Sequence, residues 1–183
     1  LSDNNNGYKW MYNQFEFFNL RVALDRILRM PISDRANPTL VSRHMTYSLG
    51  KDVCYGKWGE GSYTTGRPSG GYTCSASKKN CVSPDDWRDT TSLFTLHKDV
   101  GKPVQYCQCF VYAALMTSIG RSLGIPTRPV TTFQSAHDTD KNRAIEKFYY
   151  VADDGAFEPI PNAPTSDSVW SFHVWNEMYF KRD

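Results

Sequence analysis

An α+β architecture is predicted by three features of this 183-residue sequence. A helix starting near Cys109 is apolar on nearly every face and is stopped by Gly124 and Pro126, so it should be buried. Alternating segments over 127–133, 147–151 and 172–180 then read as strands. Finally, a cysteine opens the helix and a histidine, His173, sits on the last strand. Helix start plus strand is how papain-like folds hold a nucleophile and its base. The expected architecture is therefore papain-like, with Cys109 at the N-terminus of a buried helix packed on an antiparallel sheet that carries His173.

The elements before the helix follow in order. Leu20, Leu24 and Ile27 recur at helical spacing within 16–30, which stops before Pro31. A second helix is expected to begin at Asn37-Pro38, since proline suits a first helical turn. The stretch 50–82 is rich in Gly, Ser, Thr and Tyr without apolar periodicity and reads as a long loop insertion. Ser83-Pro84-Asp85-Asp86 looks like the start of a third helix, with Ser83 as its cap, running to about residue 98. On the last strand His173, Trp175, Glu177 and Tyr179 should share one face, and Phe172, Val174, Asn176, Met178 and Phe180 the other.

Composition narrows the function. Hydrophobic content of 40% and charged content of 22% suit one globular domain over 1–183. A net charge of +2, with aromatic residues not interleaved with basic ones, gives no support for nucleic acid as a partner. No apolar run approaches the roughly 18–20 residues that span a bilayer. Five cysteines are an odd number, so at least one thiol stays free or pairs elsewhere. Cys74 and Cys81 are close enough to form a small disulfide loop and lack the paired CxxC spacing of a zinc site. The compartment stays open between cytoplasmic and extracellular by leaderless export.

A thiol at a helix start faces backbone N–H groups and the positive end of the helix dipole, both of which favour thiolate, the nucleophilic form. A distant histidine can act as its general base and acid. A lone cysteine is more often an inert buried thiol, however, and a strand histidine among aromatics is more often a core residue. Order and context decide. Val104-Gln105-Tyr106-Cys107-Gln108-Cys109-Phe110, Leu123-Gly124-Ile125-Pro126-Thr127-Arg128, Ser135-Ala136-His137-Asp138-Thr139-Asp140 and Trp170-Ser171-Phe172-His173-Val174-Trp175-Asn176-Glu177 together resemble the catalytic core of animal calcium-dependent transglutaminases. The resemblance is continuous from about residue 104 to 182 and looser before that.

The resemblance implies acyl transfer. Cys109 would attack a protein-bound glutamine, forming a thioester, and lysine or a small primary amine would take the acyl group as an isopeptide. His173 would shuttle the proton, and Trp58 would donate its indole N–H to the oxyanion alongside the nucleophile's backbone N–H. Such preset donors are typically worth roughly 3–4 kcal/mol each. Trp170 would wall the amine channel. Partners are then proteins offering glutamine and lysine side chains. The family's third catalytic residue, an aspartate, lies on a later strand, and Asp183 comes too early to match it. The chain thus reads as a core that stops before that residue, with the rest of its own polypeptide supplying the aspartate and flanking domains. Two rival readings share the fold, a thiol amidohydrolase (deamidation or proteolysis) and a non-catalytic scaffold.

Two departures stand out. The family has glycine where this chain has Cys107, and tryptophan where it has Phe110. Cys107 reads either as a redox partner of the nucleophile or as a space-filling residue.

Calcium is the expected cofactor. Asp138, Asp140 and Asn142 place oxygen-bearing side chains at every second position, and calcium takes six to eight oxygen ligands. The motif is not an EF-hand, because Arg143 and Tyr149 occupy its glycine and glutamate positions. The resemblance adds Asp167 and the backbone carbonyl of Ala144 to the ligand set. A solvated polar turn is the bland alternative. His44, His97 and His137 read as structural.

Overall fold

The computed structural model of the chain describes residues 9–56, 79 and 81–181. Helix α1 spans Phe17–Leu28 and buries Ala23 completely. It ends at Arg29, and Pro31 disfavours helical geometry in the residue before it. Helix α2, Pro38–Ser48, starts as the sequence predicts. The Asn37 side chain accepts from the N–H groups of Thr39 and Leu40 at 3.0 and 3.2 Å, and Pro38 fills a position that needs no donor. A π-helical turn over Leu49–Val53 leads into the short strand β1, Cys54–Tyr55.

The third helix begins later than the sequence suggests. Pro84–Asp86 forms only a 3-10 turn, and Ser83 makes no side-chain cap. Trp87 then returns to extended backbone, buries its ring, and donates its indole N–H to Tyr106 O at 3.1 Å. Burying that large ring takes precedence over continuing the helix. Asp89 is the real cap of α3, Thr90–Val100, accepting from the Ser92 N–H at 2.7 Å. Gly101, at φ 63°, supplies the left-handed stop.

Strand β2, Val104–Gln105, runs parallel to β1, with Cys54 opposite Val104 and Tyr55 opposite Gln105. Helix α4, Cys109–Ser122, is buried from Ala113 through Gly120, as its all-round apolar character predicts. Four strands follow: β3 (Thr127–His137), β4 (Tyr149–Val151), β5 (Phe157–Pro159) and β6 (Ser168–Met178). β3 pairs with β6, and β4 pairs antiparallel with β5. β3 and β6 are each longer than the alternation suggests. Their extra residues include Gln134, Ser135, Ser168 and Ser171, polar side chains that mask a ladder built from backbone groups.

The chain divides into two compact units, residues up to Val130 with those from Trp175, and residues Thr131–Val174. The first is built around α4, which packs against α1, α3 and the Leu49–Val53 turn. Leu93, Phe94, Leu115 and Ile119 are fully buried there; each such side chain contributes about 1.5–3 kcal/mol. The end of β6 is fixed to α4 by Asn176, whose Nδ2 donates to Ala113 O and Thr117 Oγ1, both at 2.9 Å. Gly120 is the closest approach, since an added Cβ would stand 2.2 Å from Thr127 Oγ1. Buried Arg26 bonds Asp52 at 3.2 Å and the His97 ring at 3.3 Å, while its carbonyl meets His44 at 3.0 Å. His44 and His97 are thus structural. The second unit comprises the β4–β5 hairpin with the remaining parts of β3 and β6. Among the described residues, no helix is long and apolar enough to cross a membrane.

Candidate active site

Cys109 is the first residue of α4, half-buried, and the free thiol among the described cysteines. The N–H groups of Val111 and Tyr112 donate to Gln108 O, each at 3.0 Å, closing the first turn behind it. Gln108 gives the helix no side-chain cap. Cys107 is neither a free redox partner nor a spacer. It forms a disulfide with Cys54, and both residues are fully buried. The Cys107 N–H donates to Tyr55 O at 3.1 Å, and the Tyr112 hydroxyl donates to Cys54 O at 2.7 Å. Burial pushes the Tyr112 phenol up to about 12, so it remains a neutral donor.

In the second unit, His173 is half-buried on β6. Trp170 presents its ring edge-on to the His173 imidazole, with centroids 5.5 Å apart at 78°. His137 is also stacked on Trp170, at 4.5 Å and 25°. Trp170 therefore joins the expected base to a histidine that the sequence presents as merely structural. Aromatic pairs of this kind add about 0.5–1.5 kcal/mol beyond area burial.

The acidic residues of this unit also converge. Carboxylate oxygens of Asp138, Asp140 and Asp167 lie within 4.8 Å of one another. Asp167 is buried; its Oδ1 accepts from the Thr139 N–H at 2.8 Å and the Thr139 hydroxyl at 2.6 Å, and its Oδ2 from the Glu146 N–H at 3.2 Å. The Thr139 hydroxyl, followed by these N–H groups, holds the Asp167 carboxyl below the usual carboxylate range. Asp138 is lowered too, chiefly by the N–H of Arg143. Asp140 moves the other way, raised first by desolvation. Asn142 braces the turn: its Oδ1 accepts from the Ala144 N–H at 2.7 Å, and its Nδ2 donates to Asp140 and Glu146. Three clustered carboxylates, one of them opposed to ionising, are a donor set of hard oxygens that fits calcium.

Trp58 lies outside the described residues, as does Cys74; Cys81 is disulfide-bonded. Sequence reasoning missed Cys54, Tyr112, Thr139 and Glu146. Only Thr139, between two aspartates, carried a local signal, since its short hydroxyl readily bonds a nearby carboxylate.

Comparison with known proteins gives one answer. A sequence model of the transglutaminase-like superfamily matches residues 75–183. Mouse protein-glutamine gamma-glutamyltransferase 4 is 33% identical over 176 residues, covering 94% of this chain and 23% of that protein. Human protein-glutamine gamma-glutamyltransferase 6 is 35% identical over 187 residues, covering 94% and 24%. The crystal structure of red sea bream transglutaminase superposes with a TM-score of 0.70 at 30% identity, covering 93% of this chain and 25% of that one. The chain thus spans about a quarter of the length of the curated relatives it matches.

Proposed function

This chain belongs to the transglutaminase-like superfamily, and from that premise we propose that it carries the nucleophile and base of a protein-glutamine acyltransferase. The observation that carries the reading is Cys109, a free, half-buried thiol opening the buried helix of a chain that matches this family. The Cys109 thiolate adds to the side-chain amide of a protein-bound glutamine. His173 protonates the departing nitrogen, ammonia leaves, and a thioester remains. A lysine amine, or a small primary amine, then attacks the thioester carbonyl, gives up its proton to His173, and forms the isopeptide as Cys109 is released. Trp58 and the Cys109 N–H serve as oxyanion donors, and Trp170 walls the amine's approach.

Asp138, Asp140 and Asp167, with Asn142 and the Ala144 carbonyl, would hold calcium. When bound, the ion neutralises three adjacent carboxylates and ties the 138–146 turn to Asp167.

The test is incorporation of a labelled primary amine into a glutamine-rich protein, with calcium and with chelator, beside Cys109→Ala. Calcium-dependent incorporation that disappears in the variant is expected. Incorporation surviving in Cys109→Ala would refute the mechanism, and deamidation without amine capture would assign a hydrolase instead. Calorimetry should show calcium heat that Asp140→Ala abolishes.

A further inference from the structure

Of the four α-helices of the first unit, Asn37 caps α2 and Asp89 caps α3 with a side chain, whereas the residues preceding α1 and α4 give no side-chain cap, and α4 carries the nucleophile. An uncapped first turn frays readily. Here β1 is linked to that turn and to Cys107 just before it at three points, with Gly56 packed beside them. The disulfide joins Cys54 to Cys107, two residues before Cys109. The Cys107 N–H donates to Tyr55 O at 3.1 Å. The hydroxyl of Tyr112, one turn beyond Cys109, donates to Cys54 O at 2.7 Å. Gly56 allows the close approach, since an added Cβ would stand 3.0 Å from the Tyr112 hydroxyl and 3.1 Å from Cys107 O. Both bridged cysteines are fully buried, so the link lies inside the core beneath the nucleophile's turn.

We propose that Cys54 and Cys107 are positioning residues, whose disulfide stands in for the missing cap and fixes the first turn of α4 so that Cys109 keeps one orientation. The inference rests on the acyl-transfer reading of Cys109. One consequence runs against habit. A thiol reductant able to open the bridge slows the enzyme even though it keeps Cys109 reduced.

Amide hydrogen exchange on the full chain tests this, comparing wild type with Cys54→Ala/Cys107→Ala. Exchange at Val111 and Tyr112 should accelerate at least about tenfold, with the buried amides of Leu115 to Ile119 changing less than about twofold. In the same pair, kcat for amine incorporation should fall at least about tenfold, with KM for the amine held within about twofold. Unchanged exchange at Val111 and Tyr112 overturns the proposal. So does acceleration spread evenly along α4, which marks the bridge as a general stabiliser. Should the double variant not fold, the same exchange measurement on the wild type, with the bridge closed and after its reduction, tests the bridge directly. A local acceleration of about tenfold at Val111 and Tyr112 on reduction is expected, and none with the bridge shown to be open overturns the proposal. If neither wild type nor variant incorporates amine, the exchange pattern still decides, so failure of the acyl-transfer reading is separately visible.

Discussion

Replacing Asn176 by aspartate probes how the end of β6 is fixed to the nucleophile's helix. Asn176 Nδ2 donates to Ala113 O and Thr117 Oγ1, both at 2.9 Å. Asn176→Ala removes two hydrogen bonds worth about 1 kcal/mol each, for a cost of about 1–3 kcal/mol. Asn176→Asp turns a carboxylate oxygen toward the same two oxygens in a half-buried place, which should cost about 3–5 kcal/mol at neutral pH. The sign with pH follows from the protonation state. A carboxyl facing two acceptors is favoured as the neutral acid, so its folded pKa lies above the unfolded value of about 3.9. Its stability contribution is present below that unfolded value and is lost as pH rises through the folded one. The aspartate variant should therefore approach the alanine variant near pH 4 and fall well below it at pH 7. At about 2–4 °C per kcal/mol, the pH 7 loss for Asn176→Asp is roughly 6–20 °C in Tm. Thermal unfolding followed by circular dichroism at both pH values measures it. An aspartate variant as stable as wild type at pH 7, or a gap to alanine that ignores pH, would refute the reasoning.

Two further outcomes are expected. Gly120→Ala puts a Cβ 2.2 Å from Thr127 Oγ1 and 2.7 Å from Met178 Cε. The methionine end can swing away, but Thr127 is held by its bond to Ile125 O at 2.9 Å. An overpacking cost of about 1–3 kcal/mol then exceeds the roughly 1 kcal/mol gained in helix propensity. Urea unfolding should show a lower midpoint, and a higher one contradicts the packing argument. For Tyr112, raised to about 12 in the folded state, stability is present below the unfolded value near 10 and lost as pH rises toward 12. Tyr112→Phe should lack that alkaline decline in urea midpoints between pH 9 and 11; parallel curves for the two proteins would count against it.

What was legible follows from range. α1, α2 and α4 announce themselves through local apolar spacing, Asn37-Pro38 and Gly124, all of which act within a turn or two. The start of α3 is not legible in this way, because Ser83-Pro84 imitates a cap, while burial of Trp87 against Tyr106 depends on a residue farther along the chain. β1 and β2 are two residues each, too short for any period to register. The acidic cluster was half legible. Asp138 and Asp140 form a local pattern, and Asp167 entered only through resemblance. Cys54 was invisible as a partner of Cys107, because 53 residues separate them and cysteine counting leaves several connectivities open.

That last gap bears on why the site is built this way. An aspartate at position 108 would cap α4 as Asp89 caps α3. It would also place a permanent negative charge beside Cys109 and disfavour the thiolate that chemistry needs. Gln108 is neutral and supplies no side-chain cap, so the helix start keeps its attraction for anionic sulfur but loses a local source of order. Order must then come from outside the helix. The Cys54–Cys107 bridge, the Tyr55 carbonyl and the Tyr112 hydroxyl supply it without adding charge near the sulfur. Because these groups act across the fold rather than along the chain, the reactive residue is readable in the sequence while the means of holding it still is not.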